Sequence, residues 1–218
     1  MRERKKQATR EALREAALRL ALEHGPDNVR VEDIAEAAGV SPRTYNNYFS
    51  SREQAIVAAV TAEREARVAS AVAAQPTQIR LADTVIEAIV SHYADPGDER
   101  RDALLLITTH SALRAVFLSA TDTIAKPLTA AIGARLGALD ELTACVLAAS
   151  VTAAIRVALE QWLQPPARMP ATVGFVVVSG SLPDLLRAAL APLVPALDAA
   201  EKAAPRQSRC QEEVSHRD

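Results

Sequence analysis

The chain has 218 residues, of which 49% are hydrophobic and 24% are charged, and its formal net charge at pH 7 is −2. This length accommodates one domain of about 50 residues and another of about 150, each large enough to bury a core. The small net charge excludes a general nucleic-acid coat protein, and two cysteines are too few for a disulfide framework.

No stretch approaches the roughly 18 uninterrupted apolar residues of a membrane span. The first ten residues, MRERKKQATR, lack the apolar core of a signal peptide. We therefore expect a cytoplasmic protein without membrane contact.

Positive charge is concentrated at the N-terminal end. Residues 1–52 hold ten Lys or Arg against eight Asp or Glu, whereas residues 53–218 hold fifteen against nineteen. The first ten residues oppose a single acid, Glu3, with five basic side chains: Arg2, Arg4, Lys5, Lys6 and Arg10. Such an arm can follow phosphates or enter a minor groove, with affinity gained from counterion release. The alternative is a disordered terminus that only increases solubility.

Residues 7–23 predict an amphipathic helix that ends at His24-Gly25-Pro26. Residues 27–53 then predict two short helices joined by a glycine turn. Gly39 supplies the permissive backbone that ends the first of these helices. Ser41 is a preferred N-cap and Pro42 suits the first helical position, so the second helix is expected from Pro42 to about Tyr48.

The second short helix carries side chains that suit a DNA reader. Arg pairs with guanine, Asn pairs with adenine, and hydroxyl groups reach backbone oxygens. We expect Arg43, Thr44 and Asn47 to discriminate bases, and Asn46 to face either a base or a phosphate. Tyr48 and Arg52 are expected to fix the docking register. The predicted DNA-binding set is completed by Ser41, Pro42, Lys5 and Lys6. A short glycine-linked helix pair can also serve packing alone.

The stretch VEDIAEAAGVSPRTYNNYFSSREQAI resembles the signature of TetR/AcrR-family transcriptional regulators. The resemblance implies an all-α protein in which an N-terminal three-helix helix-turn-helix domain precedes a larger helical ligand-binding and dimerisation domain. It further implies a homodimer that binds a near-palindromic double-stranded DNA operator and releases it when a small-molecule effector binds. Two positions depart from the family pattern, which usually has an aromatic residue in place of Asn46 and a Lys in place of Arg52.

The remaining chain predicts a series of helices. Ser51 and Gln54 form a capping box for a helix to about Ala73, which we expect to link the two domains. Further helices are predicted at 81–89, from Asp98 to Ser119, at 128–136, at 141–163 after an Asp140 cap, and from about 182 to 197 with interruptions at Pro192 and Pro195. Residues 171–181 are strand-like and stay undecided. The predicted domains are 1–52, 53–198 and a polar, disordered tail at 199–218.

The helix at 141–163 is apolar around most of its circumference. Such a helix must be buried on several sides, which suggests that one side faces the core and another faces a second subunit. We expect the dimer interface to include Val151, Ile155, Leu186 and Leu190. Cys145, on the same helix, is expected to be a packing residue.

A regulatory pocket should place a few polar groups among apolar helices. The ligand-binding candidates are Tyr93, His110, Arg114, Phe117 and Trp162, with His92 and the possible Arg156–Glu160 pair as further ones. Each of these residues also has an ordinary structural interpretation. The abundance of Ala and Leu favours a flexible, apolar effector.

The sequence contains no Gly-rich phosphate loop, Cys-x-x-Cys, His-x-x-x-His or Gly-x-Ser-x-Gly motif. We expect no enzyme activity, catalytic residue, cofactor or metal site. The alternative to a DNA-binding regulator is a helical ligand-binding or scaffold protein whose helix-turn-helix has lost DNA competence.

Overall fold

The computed structural model describes residues 1–76, 78–94, 101–137, 141–163 and 181–204, and no strand occurs within these ranges. The predicted all-α fold is confirmed. The helices in chain order are α1 (Arg2–His24), α2 (Val31–Ala37), α3 (Pro42–Tyr45), α4 (Arg52–Ala74), α5 (Leu81–Ala94), α6 (Arg101–Thr109), α7 (Ser111–Ser119), α8 (Ala125–Leu136), α9 (Glu141–Trp162), α10 (Leu182–Leu190) and α11 (Val194–Ala203).

The first three helices enclose a small core. Leu13, Ile34, Tyr45 and Phe49 are buried where α1, α2 and α3 meet. Gly39 has a φ of 68°, the left-handed conformation that a side chain would disfavour, and it turns the chain between α2 and α3. The Ser41 hydroxyl then accepts a hydrogen bond from the Thr44 N–H at 3.1 Å, as the predicted N-cap requires.

Two N-terminal boundaries differ from the predictions. Helix α1 begins at Arg2, so the basic arm is the first part of this helix. Helix α3 ends at Tyr45 rather than at Tyr48. The next backbone hydrogen bonds run from the Asn47 N–H to the Thr44 carbonyl and from the Tyr48 N–H to the Tyr45 carbonyl, and this three-residue spacing forms a tighter turn.

Helix α4 contacts both parts of the molecule, as predicted. It packs against α1 on one side and against α5, α7 and α8 on the other. Helix α9 packs between α8 and α10. The buried core of this larger part includes Ile89, Leu128 and Ile155.

The predicted helix from Asp98 to Ser119 is wrong, because the described part of this segment contains two helices. The chain direction changes by 107° between Arg101–Thr109 and Ser111–Leu136. His110 lies at the break in an extended conformation, with φ −100° and ψ 118°. The Thr109 hydroxyl donates to the Leu105 carbonyl at 2.7 Å and so bonds back to the last full turn of α6.

The C-terminal helices extend further than predicted. Helix α10 passes through a 3₁₀ turn at Ala191–Leu193 into α11, where Ala200 is buried. Two contacts fix α11 to the start of α5: Arg80 pairs with Asp198 at 2.6 Å, and the Glu201 carboxylate accepts from the Leu81 N–H at 3.1 Å. The prediction of a disordered tail is therefore wrong for residues 199–203.

Several predictions lie outside the described residues. These are the turn at 95–98, the Asp140 cap, residues 171–180 and the tail from 205 onward.

Helix α9 is more apolar than expected from the absence of a long uninterrupted apolar run. An 18-residue window within it reaches a mean hydropathy of 2.0, which is enough for a membrane span by length and composition. Its packing between α8 and α10 is typical of a core helix.

Candidate nucleic-acid interface and regulatory core

The short helix α3 and the residues on either side of it present most of the predicted reading side chains to solvent. Arg43, Asn46 and Asn47 are exposed, and so are Ser41 and Pro42. The Thr44 and Tyr48 side chains are half-buried. The Thr44 hydroxyl lies 2.9 Å from the Ser41 hydroxyl, which orients the Thr44 side chain at the start of α3.

A groove brings the basic N-terminus together with α3. It has a volume of about 660 Å³ and is lined by Arg2, Glu3, Lys5, Lys6, Thr9, Val40, Thr44, Asn47 and Tyr48. Because the basic segment is helical, it is roughly 10–12 Å wide and exceeds the roughly 6 Å width of a minor groove. This conformation therefore suits contact with phosphates beside a major groove, and it does not suit insertion into a minor groove.

Tyr45 is the last residue of α3 and anchors this helix in the core. It was not identified from the sequence as a site residue. Its side chain is fully buried, and its hydroxyl donates to the Ser51 carbonyl at 2.8 Å. Burial raises the pKa of Tyr45 to about 12, with a further contribution from the Glu53 carboxylate. The Phe49 ring lies 5.8 Å away, centroid to centroid. The four-residue spacing of these aromatic residues was the available sequence signal.

Arg52 contacts the protein itself. Its Nη1 donates to the Asp27 and Val29 carbonyls, each at 2.9 Å, and its Nε donates to Glu53 Oε1 at 2.8 Å. Burial would raise the pKa of Glu53, but the hydrogen bonds from Arg52, the backbone and Ser51 outweigh it and leave this pKa below its ordinary value. Arg52 therefore braces the start of α4, and its contact with DNA stays a prediction.

Two of the predicted ligand residues meet in the core of the larger part. The Arg64 guanidinium lies 4.6 Å from the Tyr93 ring centroid and 5.6 Å from that of Phe117, and Arg64 is only 6% exposed. The adjacent void has a volume of about 10 Å³ and is lined by Thr61, Arg64, Tyr93, Phe117, Ala120, Thr121 and Leu159. This volume is about enough for one water molecule, so the predicted pocket is closed in this conformation. Sequence reasoning missed Arg64, which looks like any other charge in a polar stretch of α4.

The other ligand candidates lie elsewhere. The His110 Nε2 atom is 3.1 Å from Asp27 Oδ1, at the contact with the N-terminal unit. Arg114 and Trp162 are half-buried and do not line the void. Arg156 lies 3.8 Å from Asp122, so the ion pair that the structure shows for it differs from the predicted one with Glu160. His92 is half-buried, and burial together with the nearby Arg67 charge lowers its pKa.

A cleft separates the N-terminal unit from α7. Its volume is about 260 Å³, and its lining includes Arg10, Phe49, Gln54, Val57, Ala58, Thr61, Ala62, Val116, Ser119, Ala120 and Thr123. Thr61 and Ala120 also line the closed void. The cleft and the void are therefore neighbours that share one wall.

The predicted dimer-interface residues are not available to a partner. Val151, Ile155 and Leu186 are fully buried within the single chain, and Leu190 is 1% exposed. They face inward because α9 and α10 pack on each other. The large apolar side chains that α9 exposes are Leu142 at 67%, Val146 at 55% and Val157 at 55%. Cys145 is exposed next to this stripe, contrary to the prediction that it packs in the core.

The exposed helix α3 lies beside a basic groove, and α4 joins it to a helical body with an internal void. This arrangement defines a helix-turn-helix regulator. Residues 13–59 match the family model for bacterial regulatory proteins of the tetR family, and residues 77–198 match the model for the MftR C-terminal domain. The chain belongs to the TetR family.

A curated relative is the HTH-type transcriptional regulator TcmR of Streptomyces glaucescens. It is 40% identical over 70 residues, which cover 32% of this chain and 31% of TcmR, so the match spans about a third of that protein.

The solved structures that are similar to this chain include the following two. One is Thermus thermophilus FadR, a TetR-family transcriptional repressor in complex with lauroyl-CoA, with a TM-score of 0.47, 19% identity, and coverage of 85% of this chain and 93% of FadR. The other is RolR in complex with resorcinol, with a TM-score of 0.40, 23% identity, and coverage of 94% of this chain and 100% of RolR.

Proposed function

We propose that this chain is a cytoplasmic, effector-responsive repressor that binds an inverted-repeat operator as a homodimer. The observation that carries this proposal is the groove in which Lys5 and Lys6 face Thr44, Asn47 and Tyr48. It combines base-edge ligands with phosphate ligands over a continuous surface, which is the combination that sequence-specific DNA binding requires.

Roles within this surface follow from exposure and reach. Arg43 on α3 and Asn47 in the turn that follows it are both exposed and contact base edges, with Thr44 beside them. Lys5, Lys6 and Tyr48 contact phosphates along the groove. Asn46 is exposed and reaches a base or a phosphate, and Arg52 holds the reading unit in register through its contacts at the start of α4.

Dimerisation is proposed through the exposed stripe of α9, defined by Leu142, Val146 and Val157. Contiguous apolar patches on the surface of a soluble protein mark sites where a partner binds, which supports this assignment. A two-fold interface would place two α3 helices about one turn of DNA apart, so each protomer reads one half-site of an inverted repeat.

The effector is proposed to be a small apolar molecule that enters the interdomain cleft and opens the void beside Phe117. The shared wall of Thr61 and Ala120 supports this route, because one displacement of α7 from α4 would join the two spaces. A preference of about 3 kcal/mol for a DNA-incompetent conformation would lower operator affinity on the order of a hundredfold, and operator DNA would weaken effector binding equally.

The test is selection of operator sequences in vitro, followed by affinity measurements on three variants. Arg43→Ala should cost roughly 1–3 kcal/mol and relax preference at one base pair. Lys6→Ala should weaken binding to all sequences alike and reduce the salt dependence. Arg19→Ala removes an exposed charge of α1 that pairs with Glu23 at 3.7 Å outside the groove, so it serves as a matched control and should change neither quantity.

A second candidate is a helical ligand-binding or scaffold protein without operator recognition. Asn46 favours it, because the family usually has an aromatic residue at that position. Selection would then return no consensus sequence, and the weak binding that remained would disappear in moderate salt.

A further inference from the structure

One side-chain contact joins the larger helical part, α5 to α11, to the turn between α1 and α2. We call this larger part the regulatory body. His110 Nε2 lies 3.1 Å from Asp27 Oδ1, and these residues are 83 positions apart in the chain. The contact is partly shielded, because the His110 side chain is 24% exposed whereas that of Asp27 is 74% exposed. Since a carboxylate can only accept, the imidazole Nε2–H donates this hydrogen bond.

The position of His110 is not explained by helix capping. It is the residue before α7, but its side chain makes no capping hydrogen bond. Its Nδ1 atom is buried and has no partner among the described residues. In this orientation one ring nitrogen, Nδ1, is unsatisfied, and the other, Nε2, is directed at Asp27. The hydrogen bond to Asp27 is therefore what this ring orientation gains.

Asp27 connects this contact to the N-terminal helices α1 to α3, which form the DNA-reading unit. Its Oδ1 also lies 3.7 Å from Arg52 Nη2, and its carbonyl accepts from Arg52 Nη1. Arg52 binds the Val29 carbonyl as well, two residues before α2. The contact therefore acts on the short connection that sets the angle between α1 and the α2–α3 pair.

His110 is also connected to the regulatory core. It directly precedes α7, and this helix carries Phe117 against Arg64 beside the closed void. Because a short helix moves as a unit, a displacement of α7 at Phe117 also displaces His110. Helix α7 therefore provides a route from the core to the reading unit that is separate from the axis of α4.

We propose that His110 is a positioning residue for DNA recognition, and that its hydrogen bond to Asp27 fixes the orientation of the reading unit relative to the regulatory body. This inference rests on the proposed operator-binding function. In the dimer, the two reading units must match one half-site spacing, and a looser joint accepts more spacings. The contact favours the DNA-competent arrangement, so its loss weakens operator binding without removing any DNA contact.

The experiment compares binding to the selected operator with binding to operators whose half-site spacing is one base pair longer or shorter. His110→Phe removes the donor and keeps a ring of similar size, His110→Gln restores a donor, and Asp27→Ala removes the acceptor. We expect His110→Phe and Asp27→Ala each to weaken operator binding on the order of threefold, the size of effect expected for one partly exposed hydrogen bond. Discrimination between spacings should fall as well, and His110→Gln should recover part of both effects.

The double variant tests whether the two residues act together. His110→Phe combined with Asp27→Ala should lose no more than Asp27→Ala alone, because that variant already removes the contact with His110 together with the ion pair to Arg52. Asp122→Asn is the matched control. It disrupts an exposed ion pair with Arg156 in which both residues belong to the regulatory body, so it should preserve spacing discrimination. Thermal unfolding identifies any variant that fails to fold. If His110→Phe fails in this way, the comparison of Asp27→Ala with His110→Gln carries the test.

Unchanged spacing discrimination in folded His110→Phe and Asp27→Ala would overturn the inference, and so would losses that multiply in the double variant. Failure of the proposed function has a different outcome, because wild-type protein would then select no operator.

Discussion

The exposed stripe of α9 makes dimerisation testable by one substitution. Leu142, Val146 and Val157 share a face, since separations of four, eleven and fifteen residues return to nearly the same side of a helix. Val146→Glu places a carboxylate within this stripe. In the monomer the change is tolerated, because the side chain is 55% exposed. In a dimer formed through the stripe, the carboxylate is removed from water and has no partner of opposite charge.

The expected magnitude follows from the exposed fractions. Full burial of a Val or Leu side chain contributes about 1.5–3 kcal/mol, so a side chain that is half to two-thirds exposed can still gain about 1–1.5 kcal/mol. Val146→Glu removes about 1 kcal/mol in each protomer, or about 2 kcal/mol per dimer, before the cost of burying two carboxylates. The dimer Kd should therefore rise by at least about thirtyfold.

Sedimentation over a dilution series measures this Kd. Leu105→Glu is the matched control, because Leu105 on α6 is a 63% exposed apolar residue away from α9, and this variant should dimerise like the wild type. Val151→Glu should instead unfold the protein, since Val151 is fully buried in the monomer core. A wild-type monomer at micromolar concentration, or a Val146→Glu dimer as tight as the wild type, would refute the proposed interface.

Two further predictions concern the support beneath the reading helix. Tyr45→Phe removes the hydrogen bond to the Ser51 carbonyl and should lower the free energy of unfolding by about 1 kcal/mol in urea titrations; an unchanged value would show that this bond contributes nothing net. Glu53 has a pKa below 4.5, so its ionised form stabilises the fold fully above that pH, and the contribution is lost as the pH falls through the lower folded-state value. The stability difference between wild type and Glu53→Gln should therefore shrink in acid, and a difference independent of pH would contradict this assignment.

Local signals predicted the starts of α3 and α4. Ser41 and Ser51 both accept a hydrogen bond from the N–H three residues later, at 3.1 and 3.2 Å, as their sequence positions indicated. Gly39 adopts the expected left-handed conformation. These features depend on three or four consecutive residues, so their physical causes are visible in the sequence.

Long-range contacts were not visible in this way. The sequence did not indicate that Arg64 would be held between two aromatic rings, or that Asp27 would receive His110 from 83 residues away. The assignment of Val151 to the dimer interface failed for a related reason. An apolar pattern shows that a helix is buried on several sides, but it does not show which side faces its own chain.

The interdomain cleft leads to the last prediction. Ala120 lines both the cleft and the closed void, so a larger side chain there would obstruct the proposed route between them. Ala120→Leu adds three carbon atoms to this shared wall. Ala115→Leu adds the same atoms at an exposed position of the neighbouring α7 that lines neither space, and it is the matched control.

An effector found by screening for release of operator DNA provides the readout. Ala120→Leu should bind operator like the wild type, because Ala120 lies outside the reading surface, yet it should require at least about tenfold more effector for release, the loss expected from about 1.4 kcal/mol of steric cost in the bound state. Ala115→Leu should respond like the wild type. If Ala120→Leu responded with unchanged sensitivity while both variants were fully folded, the effector would reach its site without passing the wall formed by Thr61 and Ala120, and the closed void beside Phe117 would lose its proposed connection to the cleft.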